Sequence, residues 1–223
     1  MMDRITRIEN AGPTLRARRI FFDQDPIPRT TSAAVVKRLG IVVDESVDRS
    51  ELERHISVEE EPLARERALQ LLGYRERSAA ELLAKLRDGG YPDSVARPIV
   101  ERYREVELVD DARFAAAWTR SRVAAGYGSR RISRELTQKG VAPEIIATVL
   151  EEACDPADES VLALRSLRGR APRDAQDSQR LIRRLLARGF SMSAARGAVE
   201  DAAHSAESRA GTIEDGDTAY DLQ

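Results

Sequence analysis

The chain has 223 residues, 42% hydrophobic and 33% charged, and its ten aromatics are four Phe, five Tyr and one Trp. So few aromatics beside so much Ala, Leu, Arg and Glu exclude an aromatic-rich β-sandwich and predict a mainly α-helical protein. The net charge of −2 conceals an asymmetry, because residues 111–190 hold fifteen Lys and Arg against ten Asp and Glu, while residues 191–223 hold two against seven.

From Met1 to Ile20 charges recur throughout. No later apolar run approaches the ~20 residues that cross a bilayer, so neither a signal peptide nor a membrane span is expected. Leu15 to Phe22 is extended and ends on β-branched and aromatic residues, and Asp23-Gln24-Asp25-Pro26 follows as a turn, which predicts a small hairpin. Ser32 is placed to cap a short helix over residues 33–39 that Gly40 ends, and Asp48 with Glu51 has capping-box spacing. Glu59-Glu60-Glu61-Pro62 predicts a junction, with Pro62 opening the next helix. Residues 1–61 are therefore expected to form a small α+β N-terminal extension that packs on the helices after Pro62.

Beyond residue 61 the sequence repeats itself. Gly90, Gly140 and Gly189 are each followed by an apolar residue and preceded four positions earlier by Leu86, Leu136 and Leu185. Eight positions earlier stand Leu82, Ile132 and Leu181, and ten later Val100, Leu150 and Val199, giving a period of 50 and then 49 residues. Each block carries three apolar stripes at helical spacing, which predicts three tandem three-helix repeats over residues 62–110, 111–155 and 156–204. In the second repeat Asp110 is the expected cap of a helix over 112–125 that carries Phe114 and Trp118, and Val109 with Phe114 has the spacing of a hydrophobic staple. A middle helix over 129–139 buries Ile132 and Leu136 and ends at Gly140, and Pro143 opens the third helix. Ser78 with Glu81 caps the middle helix of the first repeat, and Ser191 the last helix of the third. Gly197 and Ala198 replace bulkier groups, so looser packing is expected there, and the polar, acidic residues 205–223 are expected to be disordered. Modules with so little core each should contact mainly their neighbours, in an elongated array that offers a long surface to another polymer.

Signals for catalysis are missing. Cys154 is the only cysteine, which excludes an intrachain disulfide and a multi-thiolate metal site and fits a reducing cytoplasm. His55 and His204 lie far apart in sequence without partners. Gly126-Tyr127-Gly128 lacks the third glycine and the preceding strand of a dinucleotide fingerprint, and Asp215-Gly216-Asp217 lacks the closing Glu of a calcium loop. Asp110 and Asp111 stand at a helix start, where capping and the helix dipole account for them better than a metal does. No catalytic residue, metal or cofactor is expected, and the chain is read as a non-enzyme.

The run Leu108-Val109-Asp110-Asp111-Ala112-Arg113-Phe114-Ala115, followed by Gly128-Ser129-Arg130-Arg131-Ile132 and Glu135-Leu136-Thr137-Gln138-Lys139-Gly140-Val141, resembles the central signature of the RecX family. Ser78-Ala79-Ala80-Glu81-Leu82 and Arg188-Gly189-Phe190-Ser191 are similar to the same family, so that the likeness spans about residues 62–203. It implies three tandem three-helix repeats in a cytoplasmic protein that binds the RecA recombinase and the RecA–DNA filament. It also implies modulation, most often inhibition, of RecA's ATP hydrolysis, strand exchange and coprotease functions in DNA repair, recombination and the SOS response. Residues 1–61 exceed the shortest members.

Counted from the anchoring glycine, position −9 holds Arg131 and Arg180, −6 holds Arg134 and Arg183, −5 holds Arg184, and −1 holds Lys139 and Arg188, all away from the core stripe. Arg180, Arg184 and Arg188 fall at i, i+4 and i+8, a cationic ridge suited to phosphates or acidic side chains. These seven with Arg130 are the candidate residues for binding RecA or nucleic acid. The rival reading is a helical DNA-binding protein, acting on single- or double-stranded DNA independently of RecA. A monomer with no membrane partner is expected.

Overall fold

The computed structural model describes residues 2–12, 14–153 and 156–214. The chain divides into two compact units, one ending at Phe114 and the other beginning at Ala115.

In the N-terminal unit the extension is more than a hairpin. Strands β1 (Met2–Ala11), β2 (Ala17–Phe22), β3 (Arg29–Ser32) and β4 (Ser46–Asp48) form an antiparallel sheet in the order β3-β2-β1-β4. A register shift between Ile5 and Arg7 lets Ile5 and Ile8, three apart, both pack into the core. Ser32 caps α1 (Ala33–Leu39), its Oγ accepting from the Val35 amide at 3.1 Å, and Gly40 ends it at φ 66°.

The junction expected at Pro62 is absent. Helix α2 runs unbroken over Arg49–Tyr74 with Pro62 in its interior, and Asp48 caps its start by accepting from the Glu51 amide. A proline here forfeits the bond to the Val58 carbonyl and costs roughly 3 kcal/mol. Packing on both sides offsets this, because Leu52 and Ile56 before it and Leu63, Ala64 and Ala68 after it share one core. Glu60, only 1% exposed, also ties the helix to the sheet by accepting from Arg29 at 3.0 Å and from Thr31 Oγ1 at 2.7 Å. Helices α3 (Ala79–Asp88) and α4 (Asp93–Glu105) complete that core with Leu82, Leu86, Ile99 and Val100, so the extension and the first repeat are one structural unit. Gly90, at φ 90°, follows α3 where a Cβ would stand 2.7 Å from the Thr31 carbonyl carbon and 2.9 Å from Ala17 Cβ.

Helix α5 (Asp111–Ala124) starts as expected, with Asp110 Oδ1 accepting from the Ala112 and Arg113 amides at 2.8 and 2.9 Å and with Val109 and Phe114 buried. Asp111 has a different task, accepting the Ala79 amide at the start of α3 at 2.8 Å.

The second unit continues with α6 (Ser129–Gln138), α7 (Pro143–Ala153), α8 (Pro156–Ser166), α9 (Ala175–Ala187) and α10 (Met192–Glu214). Ile132 and Leu136 of α6 are fully buried. Leu181 and Leu185 of α9, with Phe190, pack on Ala163 and Leu167 and on Ala195, Ala198 and Val199 of α10. The looseness expected at Gly197 and Ala198 holds at the glycine, where nothing lies within 4 Å of the place a Cβ would take, and not at Ala198, which is buried with Ala194, Ala195 and Ala202. Ser191 Oγ caps α10 by accepting the Ala194 amide at 3.2 Å. Residues 205–214, expected to be disordered, continue α10. Cys154 and residues 215–223, with Asp215-Gly216-Asp217 among them, lie outside the described residues.

Within this unit the α9–α10 turn interlocks with the start of α6. Gly128 caps α6 without a side chain, its own N–H donating to the Arg188 carbonyl at 3.0 Å while the Arg130 N–H donates to the Gly189 carbonyl at 3.1 Å. One of the helix's orphan amides is thus satisfied by the following repeat. A Cβ on Gly128 would stand 2.5 Å from the Gly189 carbonyl, and Gly189, at φ 93°, would push one into the Arg131 backbone. Glu159 of α8 fastens the same joint by accepting from Ser129 Oγ at 2.9 Å and Ser191 Oγ at 2.7 Å.

Candidate partner-binding surface

The second unit holds all eight candidate basic residues and sorts them into two groups. The first is built around Glu135, the one acid on α6. Its Oε2 accepts from Trp118 Nε1 at 3.1 Å and Arg122 Nε at 2.7 Å, and its Oε1 accepts from Arg131 Nε at 3.0 Å. Burial pushes the Glu135 carboxyl up, but the Arg131, Arg122 and Trp118 donors outweigh it and hold the group below its ordinary value. Arg122 stacks 4.3 Å from the Trp118 ring and Lys139 lies 4.1 Å from the same ring. Arg131 stacks 4.2 Å from the Tyr127 ring, and Arg188 lies 5.6 Å from that ring and donates to the Ser166 carbonyl at 3.4 Å. Arg131, Lys139 and Arg188 are therefore engaged inside the unit, where cation–π contacts and a shared carboxylate fix the α5–α6 packing.

The second group is Arg130 and Arg134 on α6 with Arg180, Arg183 and Arg184 on α9, all exposed. Among the described residues these five make no ion pair; Arg134 Nε and Arg183 Nε donate only to the Arg130 and Gln179 carbonyls, each at 3.3 Å. The cause is local. Positions three and four residues from Arg130, Arg134, Arg183 and Arg184 carry no acid, whereas on α2 and α4 that spacing pairs Arg65 with Glu61 at 2.5 Å, Arg97 with Asp93 at 3.1 Å and Arg102 with Glu105 at 3.0 Å. Asp177, three residues before Arg180, is buried and accepts the Arg173 amide instead. Arg130 and Arg134 border an open groove of about 750 Å³ that Leu150, Leu186, Phe190 and Met192 line with apolar surface. Of the ridge expected at i, i+4 and i+8, Arg180 and Arg184 stand exposed while Arg188 is tethered half-buried to α8.

The structural signature residues lie apart from this surface. Phe114, Ile132 and Leu136 are core, Trp118 belongs to the Glu135 cluster, Asp110 and Asp111 accept amides at helix starts, and Gly90, Gly140 and Gly189 all have positive φ. Residue types alone did not single out Glu135, Arg122 and Tyr127, although Arg131–Glu135 and Trp118–Arg122 both stand at i, i+4. No described helix is long and apolar enough to cross a membrane, and no three His, Cys, Asp or Glu converge among the described residues.

Two family models match this chain: the first three-helix domain of RecX over residues 64–102 and the second over residues 110–150. Among named relatives, the regulatory protein RecX of Mycolicibacterium smegmatis is 38% identical over 145 residues, which are 60% of this chain and 77% of that protein. The regulatory protein RecX of Halorhodospira halophila is 38% identical over 136 residues, 60% of this chain and 84% of that one. The fold is shared with a crystal structure of regulatory protein RecX, at a TM-score of 0.56 and 22% identity, covering 89% of this chain and 99% of the other. It is shared too with RecX from Lactobacillus salivarius, at a TM-score of 0.54 and 20% identity, covering 65% and 97%.

Proposed function

Because the chain belongs to the RecX family of regulatory proteins, we propose that it is a non-catalytic cytoplasmic regulator that binds the RecA recombinase and its nucleoprotein filament and inhibits RecA's ATPase, strand-exchange and coprotease activities. The observation that carries this reading is the set of five exposed guanidinium groups on α6 and α9 with no carboxylate partner among the described residues. An arginine fork left open in this way suits acidic side chains or phosphates, which it meets with two parallel hydrogen bonds. Inhibition then needs no chemistry from the regulator. A bound array that prefers one filament state by about 1.4 kcal/mol shifts the balance between states tenfold, and one that prefers it by about 5.5 kcal/mol takes the filament from 1:99 to 99:1.

The test replaces Arg130, Arg134, Arg183 and Arg184 together by alanine and measures suppression of RecA's DNA-dependent ATPase. Contacts worth about 0.5–1 kcal/mol each would reduce potency by roughly thirty- to a thousandfold, at unchanged helicity. Unchanged potency would remove this surface from the interface. Binding to bare DNA that weakens by about 0.9 log units per log unit of salt for each neutralised phosphate, with no effect on RecA, would assign the arginines to DNA instead.

A further inference from the structure

We propose that a pocket of about 260 Å³ in the N-terminal unit, between the sheet–α1 junction and α2, binds a small phosphate monoester. Arg16 and Arg67 both line it, and among the described residues neither has an ion-pair partner. Arg67 Nε is buried without any hydrogen-bond partner, and the guanidinium's Nη1 has only a long contact, 3.4 Å to Gln70 Oε1. Arginine does not deprotonate to escape burial, so a half-buried guanidinium whose Nε is buried without a partner suits an anion. Burial first and then the nearby charge of Arg16 oppose the charged form of Arg67, while Tyr91 favours it and Arg77 opposes it, so two like charges stand side by side at the pocket.

The neighbouring groups offset this positive charge only in part, because Glu66 is the one carboxylate against two guanidiniums in the pocket lining. Arg77 spends its charge on Glu81 at 2.7 Å. Glu66 also lines the pocket but accepts from Gln70 Nε2 at 3.1 Å and forms no ion pair with Arg67 or Arg16. Two separate guanidiniums suit a dianion with three acceptor oxygens better than a carboxylate, which one fork already satisfies. The volume lies just below the ~300 Å³ at which pockets for drug-sized ligands begin, so the space fits a phosphoryl group with a short organic body lying against Leu63 and Tyr91.

This site is independent of the α6 and α9 arginines, and its test contains no RecA. The full chain, labelled with nitrogen-15, is titrated with glycerol 3-phosphate at constant ionic strength set by chloride. The expected result is a saturable shift of the Ala34, Gly89 and Tyr91 amides, at least tenfold weaker in Arg16→Ala, lost in Arg67→Met and unchanged in Arg54→Ala. Arg16 is exposed, so its variant decides the matter even where Arg67→Met fails to fold. Equal affinity in Arg16→Ala, the same shifts from chloride alone, or displacement of the phosphate by a single-stranded oligonucleotide would each overturn the proposal.

Discussion

Replacing Gly189 by alanine probes the joint between the second and third repeats. At φ 93° a side-chain-bearing residue is strained by about 1–2 kcal/mol. The added Cβ would also stand 2.5 Å from the Arg131 amide nitrogen, and relieving that overlap must shift helix backbone at a cost of about 1–3 kcal/mol. The expected loss is therefore about 2–5 kcal/mol in the second unit. Gly197 supplies the opposite case, because it lies inside α10 with nothing within 4 Å of a built Cβ, and alanine there should stabilise by about 0.5–1 kcal/mol. The only tryptophan, Trp118, belongs to this unit, so its fluorescence during urea unfolding reports the right transition. With a slope of about 1–3 kcal/mol per molar urea, the Gly189→Ala midpoint should fall by about 0.7 M or more. A Gly189→Ala midpoint within error of wild type would refute the close approach, and a Gly197→Ala variant less stable than wild type would refute the open space beside Gly197.

Two carboxylates give pH tests of opposite sign. Glu135 is held below its ordinary pKa, so its contribution is present above the unfolded value of about 4.3 and disappears as pH falls through the folded one. Glu135→Gln should therefore cost roughly 1–2 kcal/mol at neutral pH, and its urea curve should converge on that of wild type in acid; a constant gap would contradict the cluster. Glu60 is pushed up by burial, against the pull of Thr31 and Arg29, so the native state holds its proton more tightly and the stability it confers declines as pH rises from about 4.3 through the folded value. Melting temperatures recorded across that interval should show Glu60→Gln gaining on wild type as pH rises, and parallel curves would count against a desolvated carboxylate.

What could be read from residues alone was whatever the physics settles locally. The repeats announced themselves because a glycine and two apolar positions four apart recur at a nearly constant period, and the caps at Ser32, Ser78, Asp110 and Ser191 need only a side-chain oxygen beside free amides. Strand β1 escaped because its register shift breaks the two-residue alternation that marks a strand. Pro62 misled because the signal for a helix start is local, while the force that carries α2 through it is the shared core and the buried Glu60. Likewise, position relative to the glycine placed eight basic residues off the core. Which of them are spent internally depends on Trp118 and Tyr127 arriving from α5 and the turn after it, and on Ser166 from α8.

Electron cryo-microscopy of this chain bound to RecA–DNA filaments tests the docking surface most directly. The expected image seats the outer faces of α6 and α9 on the filament, with Arg130, Arg134, Arg180, Arg183 and Arg184 within ion-pair distance of RecA carboxylates or DNA phosphates. Density showing those five side chains turned to solvent while another face makes the contact would contradict it.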